Sequence, residues 1–174
     1  MGEYFTIEKG SSVKTKVKGS IFIGNAFPVE NKEDAVNKIK IVSKKYYDAT
    51  HNPFAFKIET GDIRYSDDRE PPGTAGKPIL GVIEKFDLTN ILIVISRYFG
   101  GIKLGKGGLS RAYKDCAEKT IQSTTIIKKA VIIHLKLIFS PELSGIVSKI
   151  IAENKGKIIR TDYKDNSIFF LELK

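Results

Sequence analysis

The stretch that most constrains this chain is ILIVIS, residues 91–96. It opens with five consecutive apolar residues, and four of them are β-branched. Such side chains favour extended backbone. Successive side chains of a strand point to opposite faces, so an unbroken apolar run needs cover on both. The run therefore predicts a strand buried on both faces. With 174 residues the chain can form one domain, or one and a small second, and bury roughly 70% of its unfolded surface.

The strand leads into FGGIKLGKGG, 99–108. From Gly100 this reads Gly, four residues, Gly105, Lys106, Gly107, one residue short of a phosphate loop. A nucleotide-hydrolysing loop needs Ser or Thr after the lysine to hold Mg²⁺. Gly107 stands there instead, and no metal-binding Asp ends the strand. The rest of the physics survives. Gly100, Gly101, Gly105, Gly107 and Gly108 let backbone N–H groups come close to a ligand. A helical pattern follows, and a helix N-terminus favours anions. Arg97, Lys103, Lys106 and Arg111 surround the loop. The two readings are an anion-binding or phosphate-backbone surface and a tight strand-to-helix connection with solvated charges.

Charge supports looking here. Twenty-nine Lys and Arg against 20 Asp and Glu leave a net +9, which attracts polyanions. Four of the five arginines (Arg64, Arg69, Arg97, Arg111) lie in the middle of the chain, and arginine is the better phosphate fork. Cys116 is the sole cysteine, which excludes a disulfide framework and a cysteine-rich zinc site. No metal or cofactor is expected. No run reaches the ~18 apolar residues of a membrane span, and MGEYFTIEKG lacks the apolar core of a signal peptide. A cytoplasmic chain without membrane contact is expected.

Around the central strand, VKTKV (13–17) and SIFIGNAFPV (20–29) predict two strands, with Gly24 a bulge. Asn31 caps a helix carrying Ala35, Ile39, Val42 and Tyr46 on one face. NPFAFKIE (52–59) predicts a further strand started by Pro53. Residues 60–78 read as one long loop, and such loops are commonly functional. Pro78 opens a helix. Leu109, Ala112, Cys116, Ala117, Thr120 and Ile121 form another helical stripe, with Arg111–Asp115, Lys114–Glu118 and Asp115–Lys119 as surface pairs. A boundary is expected near STTIIKK (123–129), giving domains 1–125 and 126–174. The second comprises AVIIHLKLIF (130–139), a helix opened by Ser140 and Pro141, then GKIIRTDY and NSIFFLEL joined by a hairpin turn at Lys164-Asp165. That is a β-α-β-β unit. His134 reads as a core or edge residue of its first strand.

The 60–78 loop contains SDDREPPGTAGK. Asp67, Asp68 and Glu70 could hold a cation or share a proton. With His51 they make candidate catalytic groups; alternatively they form salt bridges with the basic glycine loop. The loop also holds Thr74, Gly76 and Lys77.

HNPFAF (51–56), SDDREPPGTAGKPIL (66–80) and SRYFGGIKLGKGGLSRAY (96–113) together resemble the Impact/YigZ family, over residues 5 to about 125. The resemblance implies an α+β chain. Its N-terminal domain would be a two-layer α/β fold like domain IV of elongation factor G. Its C-terminal domain would be a ferredoxin-like unit, here shortened after its third strand. Eukaryotic relatives regulate translation initiation by binding a protein activator of a stress kinase, the bacterial type is suspected of binding nucleic acid, and no catalytic activity is established. This sequence departs in carrying Pro53 where relatives often have Cys, Arg69 for Gly, and Pro72 for Ser. Without that Cys no thiol stands beside His51.

The favoured expectation is a non-catalytic, translation-associated factor that binds RNA or the ribosome through Arg97, Lys103, Lys106 and Arg111. One alternative is an enzyme using His51 with Asp67, Asp68 and Glu70. Another is a protein-binding regulator without RNA contact. An unpaired edge at 130–139 invites self-association or a partner strand. Because Gly107 replaces the magnesium-binding hydroxyl, purified protein is expected to hydrolyse neither ATP nor GTP. Turnover that survives repurification and disappears in Lys106→Ala would refute this.

Overall fold

Residues 91–98 form the central strand of a five-stranded sheet, as an apolar run of that kind requires. The computed structural model describes residues 2–173. The chain runs β1 (Glu3–Ile7), β2 (Ser11–Val17), β3 (Ser20–Pro28), α1 (Lys32–Lys45), β4 (Phe54–Lys57), β5 (Ile63–Ser66), α2 (Gly76–Lys85), β6 (Ile91–Tyr98), α3 (Gly105–Gln122), β7 (Ile126–Ala130), β8 (Ile133–Phe139), α4 (Ser144–Glu153), β9 (Lys157–Tyr163) and β10 (Ser167–Leu173). A 3₁₀ turn, Pro141–Leu143, precedes α4. Two compact units result. One is Tyr4–Lys128; the other is residue 129 onward with the N-terminal residues through Glu3.

In the first unit the sheet order is β2-β3-β6-β4-β5, and every pairing is antiparallel. The alternation of β6 decides what lies on each side. Ile91, Ile93 and Ile95 join Phe22, Ala26 and Ala55 in a core with α2 and α3. Leu92 and Val94 join Phe56 and Ile58 in a core with Ala35 and Val42 of α1. Asn31 caps α1 as its position suggests: its side chain accepts from the Asp34 N–H at 2.9 Å. The buried stripe of α3 is Leu109, Ala112, Tyr113, Cys116, Ala117, Thr120 and Ile121. Burial pushes the Cys116 thiol above its ordinary pKa. Glu118 pairs with Lys85 of α2 at 2.9 Å rather than with Lys114.

Several expectations need correction. Gly24 is not a bulge, since its register with Val13 and Ile95 is unbroken. It is glycine because α3 lies over it: an added Cβ would sit 2.1 Å from Thr120 Oγ1 and 3.1 Å from Cys116 Sγ. Residues 60–78 are not one structureless loop. Ile63–Ser66 pairs with β4, and α2 already begins at Gly76. Short strands with mixed side chains such as IRYS carry little periodic signal. β1 went unpredicted, and it pairs with β7, which occupies the segment read as a boundary.

The second unit is β-α-β-β with sheet order β8-β10-β9, antiparallel throughout. Its core is Ile151, Phe169 and Leu171, flanked by Leu137, Phe139, Val147, Ile158 and Leu173. Phe139 meets Phe169 edge-on at 4.8 Å. The strand expected over 130–139 starts only at Ile133, because Ala130 still belongs to β7. Among the described residues β8 pairs with β10 alone, so its other edge is open. His134 is exposed on this strand, 3.2 Å from Glu172. No helix among the described residues is long and apolar enough to cross a membrane.

Gly24→Ala should destabilise the chain by about 1–3 kcal/mol through overpacking against Thr120. Gly81→Ala is the matched control: its Cβ would meet nothing within 4 Å, and a helix-interior alanine should stabilise by up to ~1 kcal/mol. Urea denaturation reads both, and equal midpoints would show that α3 does not press on the sheet at Gly24.

Candidate functional site

The site is assembled around the C-terminal end of β6, where apolar residues give way to Ser96 and Arg97. Arg97 is only 5% exposed. Its Nη1 donates to Glu70 Oε1 at 2.6 Å and its Nη2 donates to Ser20 Oγ at 3.3 Å. The guanidinium lies over the rings of Phe22 and of Phe99, 5.6 Å from each centroid, and its Nε is buried without a hydrogen-bond partner among the described residues. Glu70 Oε1 also accepts from Tyr113 Oη at 2.7 Å. Burial, then the bond to Glu70, pushes the Tyr113 phenol well above its ordinary pKa. Arg97, expected to meet phosphate, instead meets Glu70. The charge of this guanidinium is thus paired inside the protein with the Glu70 carboxylate.

The acidic loop is shaped by its other two carboxylates. Asp67 Oδ1 accepts from the N–H groups of Ala75 and Gly76, and Oδ2 from Gly73. It thereby caps α2, whose N-cap residue Ala75 has no side chain able to do so. Asp68 Oδ2 accepts from the Asn52 N–H at 2.6 Å. The carboxylates of Asp67 and Asp68 are thus engaged with backbone N–H groups, that of Asp68 next to His51. Of the three acids only Glu70 reaches the site. Thr74 is buried, its Oγ1 donating to the Pro71 carbonyl at 2.6 Å. Gly76 is glycine because a Cβ would lie 2.7 Å from the Ser66 backbone. Lys77 is exposed.

His51 pairs with Arg97 through the backbone, as a bridge at the end of the sheet. Its Nδ1 lies 2.7 Å from the Asp68 carbonyl oxygen. A carbonyl only accepts, so Nδ1 carries hydrogen and Nε2 of the neutral ring is an acceptor. Nε2 stands 3.9 Å from Glu70 Oε2. His51 and Glu70 are thus brought together, as the catalytic alternative requires.

The glycine segment behaves differently from a phosphate loop. Gly105, Gly107 and Gly108 belong to the first turns of α3, so the connecting loop is only residues 99–104. Gly100 is glycine to pack on the chain, since a Cβ there would lie 1.9 Å from the Gly19 carbonyl carbon. Gly108 packs on Leu104 in the same way, at 3.1 Å. Gly101 and Gly105 take left-handed φ of 85° and 71°, which glycine adopts without strain. Among the described residues no side chain caps α3. Lys103, Lys106 and Arg111 are exposed and enter no ion pair among the described residues.

Between these parts lies a cavity of about 330 Å³. Thr50, His51, Glu70 and Arg97 line it on the sheet side, and Lys103, Leu104, Gly105 and Lys106 on the helix side. Pro71, Phe99 and Leu109 complete the wall. Among the described residues no group of three or more His, Cys, Asp or Glu side chains is placed to hold a metal ion. Sequence reasoning missed Tyr113 and Phe99. A signal existed for the first: Tyr113 continues the apolar stripe of α3, and a buried tyrosine hydroxyl needs a partner.

Residues 18–121 match the Impact N-terminal domain. The chain is similar to the IMPACT family member YvyE of Bacillus subtilis, 36% identical over 128 residues, covering 72% of this chain and 59% of that protein. It is 32% identical to the IMPACT family member YigZ of Escherichia coli over 158 residues, 88% of this chain and 77% of that one. The chain thus spans somewhat under two thirds of the length of the first of these relatives. A crystal structure described as that of a hypothetical protein superposes with a TM-score of 0.82 at 28% identity, covering 100% of this chain and 86% of the other.

Arg97→Met leaves Glu70 as an uncompensated buried charge and should cost about 3–5 kcal/mol. Tyr113→Phe removes one hydrogen bond to a carboxylate and should cost less, about 1.5–3 kcal/mol. Chemical denaturation of both variants checks the order. An Arg97→Met protein as stable as the parent would show that the pair does not organise the site.

Proposed function

The chain belongs to the IMPACT family, and on that premise we propose that it is a non-catalytic, cytoplasmic, translation-associated factor that holds RNA or the ribosome by phosphate contacts at the N-terminal end of α3. The observation that supports this reading is the separation of two kinds of cation. Arg97 is engaged with Glu70 inside the unit. Lys103, Lys106 and Arg111 stand in solvent, and the first N–H groups of α3 have no side-chain cap. Unpaired cations beside an uncapped helix start favour an oxyanion, and phosphate most of all. The translational setting is what the family resemblance implies.

One observation favours a second reading, an enzyme: the approach of His51 Nε2 to Glu70 Oε2. Asp67 and Asp68, which that reading also needs, are engaged with backbone N–H groups. A third reading, a protein-binding regulator without RNA contact, would use the open edge of β8, where Ile133, Leu135 and Ile138 are exposed. Self-association belongs at the same edge.

Salt dependence separates RNA from protein binding. For single-stranded RNA the affinity should fall with salt at a log–log slope of roughly −0.7 per phosphate neutralised. Lys103→Glu with Lys106→Glu should weaken binding at low salt and flatten that slope by roughly 0.7 for each phosphate no longer neutralised, with the unfolding midpoint unchanged. Unchanged affinity at low salt would sink the proposal.

A further inference from the structure

The cavity beneath the cationic residues is more than a gap. One acceptor in it is unmet. Glu70 Oε1 takes both hydrogen bonds that the protein gives this carboxylate, from Arg97 and Tyr113. Oε2 takes none among the described residues, although the side chain is only 2% exposed. Glu70 lines the cavity, so a donor for this oxygen can come from what the cavity holds. His51 Nε2 stands 3.9 Å from that oxygen. In the neutral ring this too is an acceptor, because Nδ1–H is held by the Asp68 carbonyl. Both residues line the same cavity, so two acceptors face one space and ask for two neighbouring N–H groups.

The rest of the wall narrows the choice. Pro71, Leu104, Leu109 and Phe99 are apolar, and Phe99 is 47% exposed, so a flat ring can slide against them. Lys103, Lys106 and Gly105 at the start of α3 lie on the helix side. They oppose a cationic ligand and favour an anionic end. A volume of about 330 Å³ is at the small end of ligand sites; it takes one ring system, not a strand. The geometry points to a pocket for a single unstacked nucleotide whose base presents adjacent N–H donors, guanine above all. Its N1–H and N2 amino group would meet Glu70 Oε2 and His51 Nε2, and its phosphate would meet Lys103 and Lys106.

This deepens the phosphate reading above and rests on it, adding base choice to backbone contact. Unstacked bases read by their Watson–Crick edge against an aromatic or apolar wall are the common mode of sequence-specific RNA recognition. Uracil presents carbonyl oxygens on both sides of its one N–H. Set against two acceptors, they leave the site's polar atoms unpaired, and that mismatch discriminates strongly.

The test is an NMR titration of the whole chain with GMP and with UMP, following the His51 ring and the Gly105 and Lys106 amides. GMP should shift all three saturably and bind at least tenfold more tightly than UMP. Glu70→Gln turns an acceptor into a donor and should erase the preference. If that variant does not fold, Leu104→Trp, which fills the cavity from its helix side, should abolish GMP binding. Equal affinities, or no shift with GMP, would overturn the inference even if the parent protein binds single-stranded RNA with the expected salt slope. Failure of RNA binding in that separate assay would instead count against the phosphate reading.

Discussion

Glu70 and Arg97 meet at 2.6 Å in a place that water barely reaches. Neither charge could stay there alone, because burying an unpaired ion costs several kcal/mol. The pair therefore forces its elements into place together. Arg97 comes from β6, Glu70 from the turn after β5, Tyr113 from α3, and Ser20 from the start of β3. The turn bends hard to deliver its carboxylate. Asp68 and Arg69, just before Glu70, both hold left-handed φ, 41° and 66°, a conformation that costs ordinary residues of order 1–2 kcal/mol each. A glycine at position 69 would lack that strain. Asp67 and Asp68 anchor the same turn through backbone N–H groups, so two of the three carboxylates hold the turn while Glu70 turns inward to Arg97.

The pair also changes what the net charge means. A chain at +9 invites the view that every central cation is a phosphate contact. The most conspicuous one, Arg97, is paired internally with Glu70 and lies over two phenylalanine rings. What faces solvent is a smaller set on the loop and first turns of α3. Exposed charges of this kind are screened by salt within about a Debye length, so any binding they support is expected to be weak at high ionic strength. The cavity walls are less affected, because hydrogen bonds to buried acceptors lose little to screening.

Glycine has two separate roles near the site. Gly76 and Gly100 are where backbone approaches backbone, against Ser66 and Gly19. These contacts bring the acidic turn and the loop after β6 to their positions. Gly107, by contrast, would bring a Cβ no closer than 3.7 Å to any neighbour, the Arg111 guanidinium. Within the glycine-rich segment, Gly100 and Gly108 serve close packing, while Gly101 and Gly105 serve backbone conformation through their left-handed φ.

How much of this was legible follows from the range over which each signal acts. The apolar run of β6, the Asn31 cap and the stripes of α1 and α3 are local patterns, and they dictate local structure through side-chain periodicity. They were readable from the chain, as was the β-α-β-β order of the second unit. β1 and β5 were not, because each is short and takes its stability from a partner strand distant in sequence. The site divides the same way. The sequence by itself determined that acidic and basic loops carry opposite charges, and that Gly107 removes the magnesium-binding hydroxyl. Only the tertiary structure decided that Glu70, and neither Asp67 nor Asp68, turns inward, and that Arg97 is its partner while Lys103 and Lys106 remain outside. The physical reason is that desolvation is a property of position in the fold: identical charges become scaffold or binding surface according to whether water reaches them.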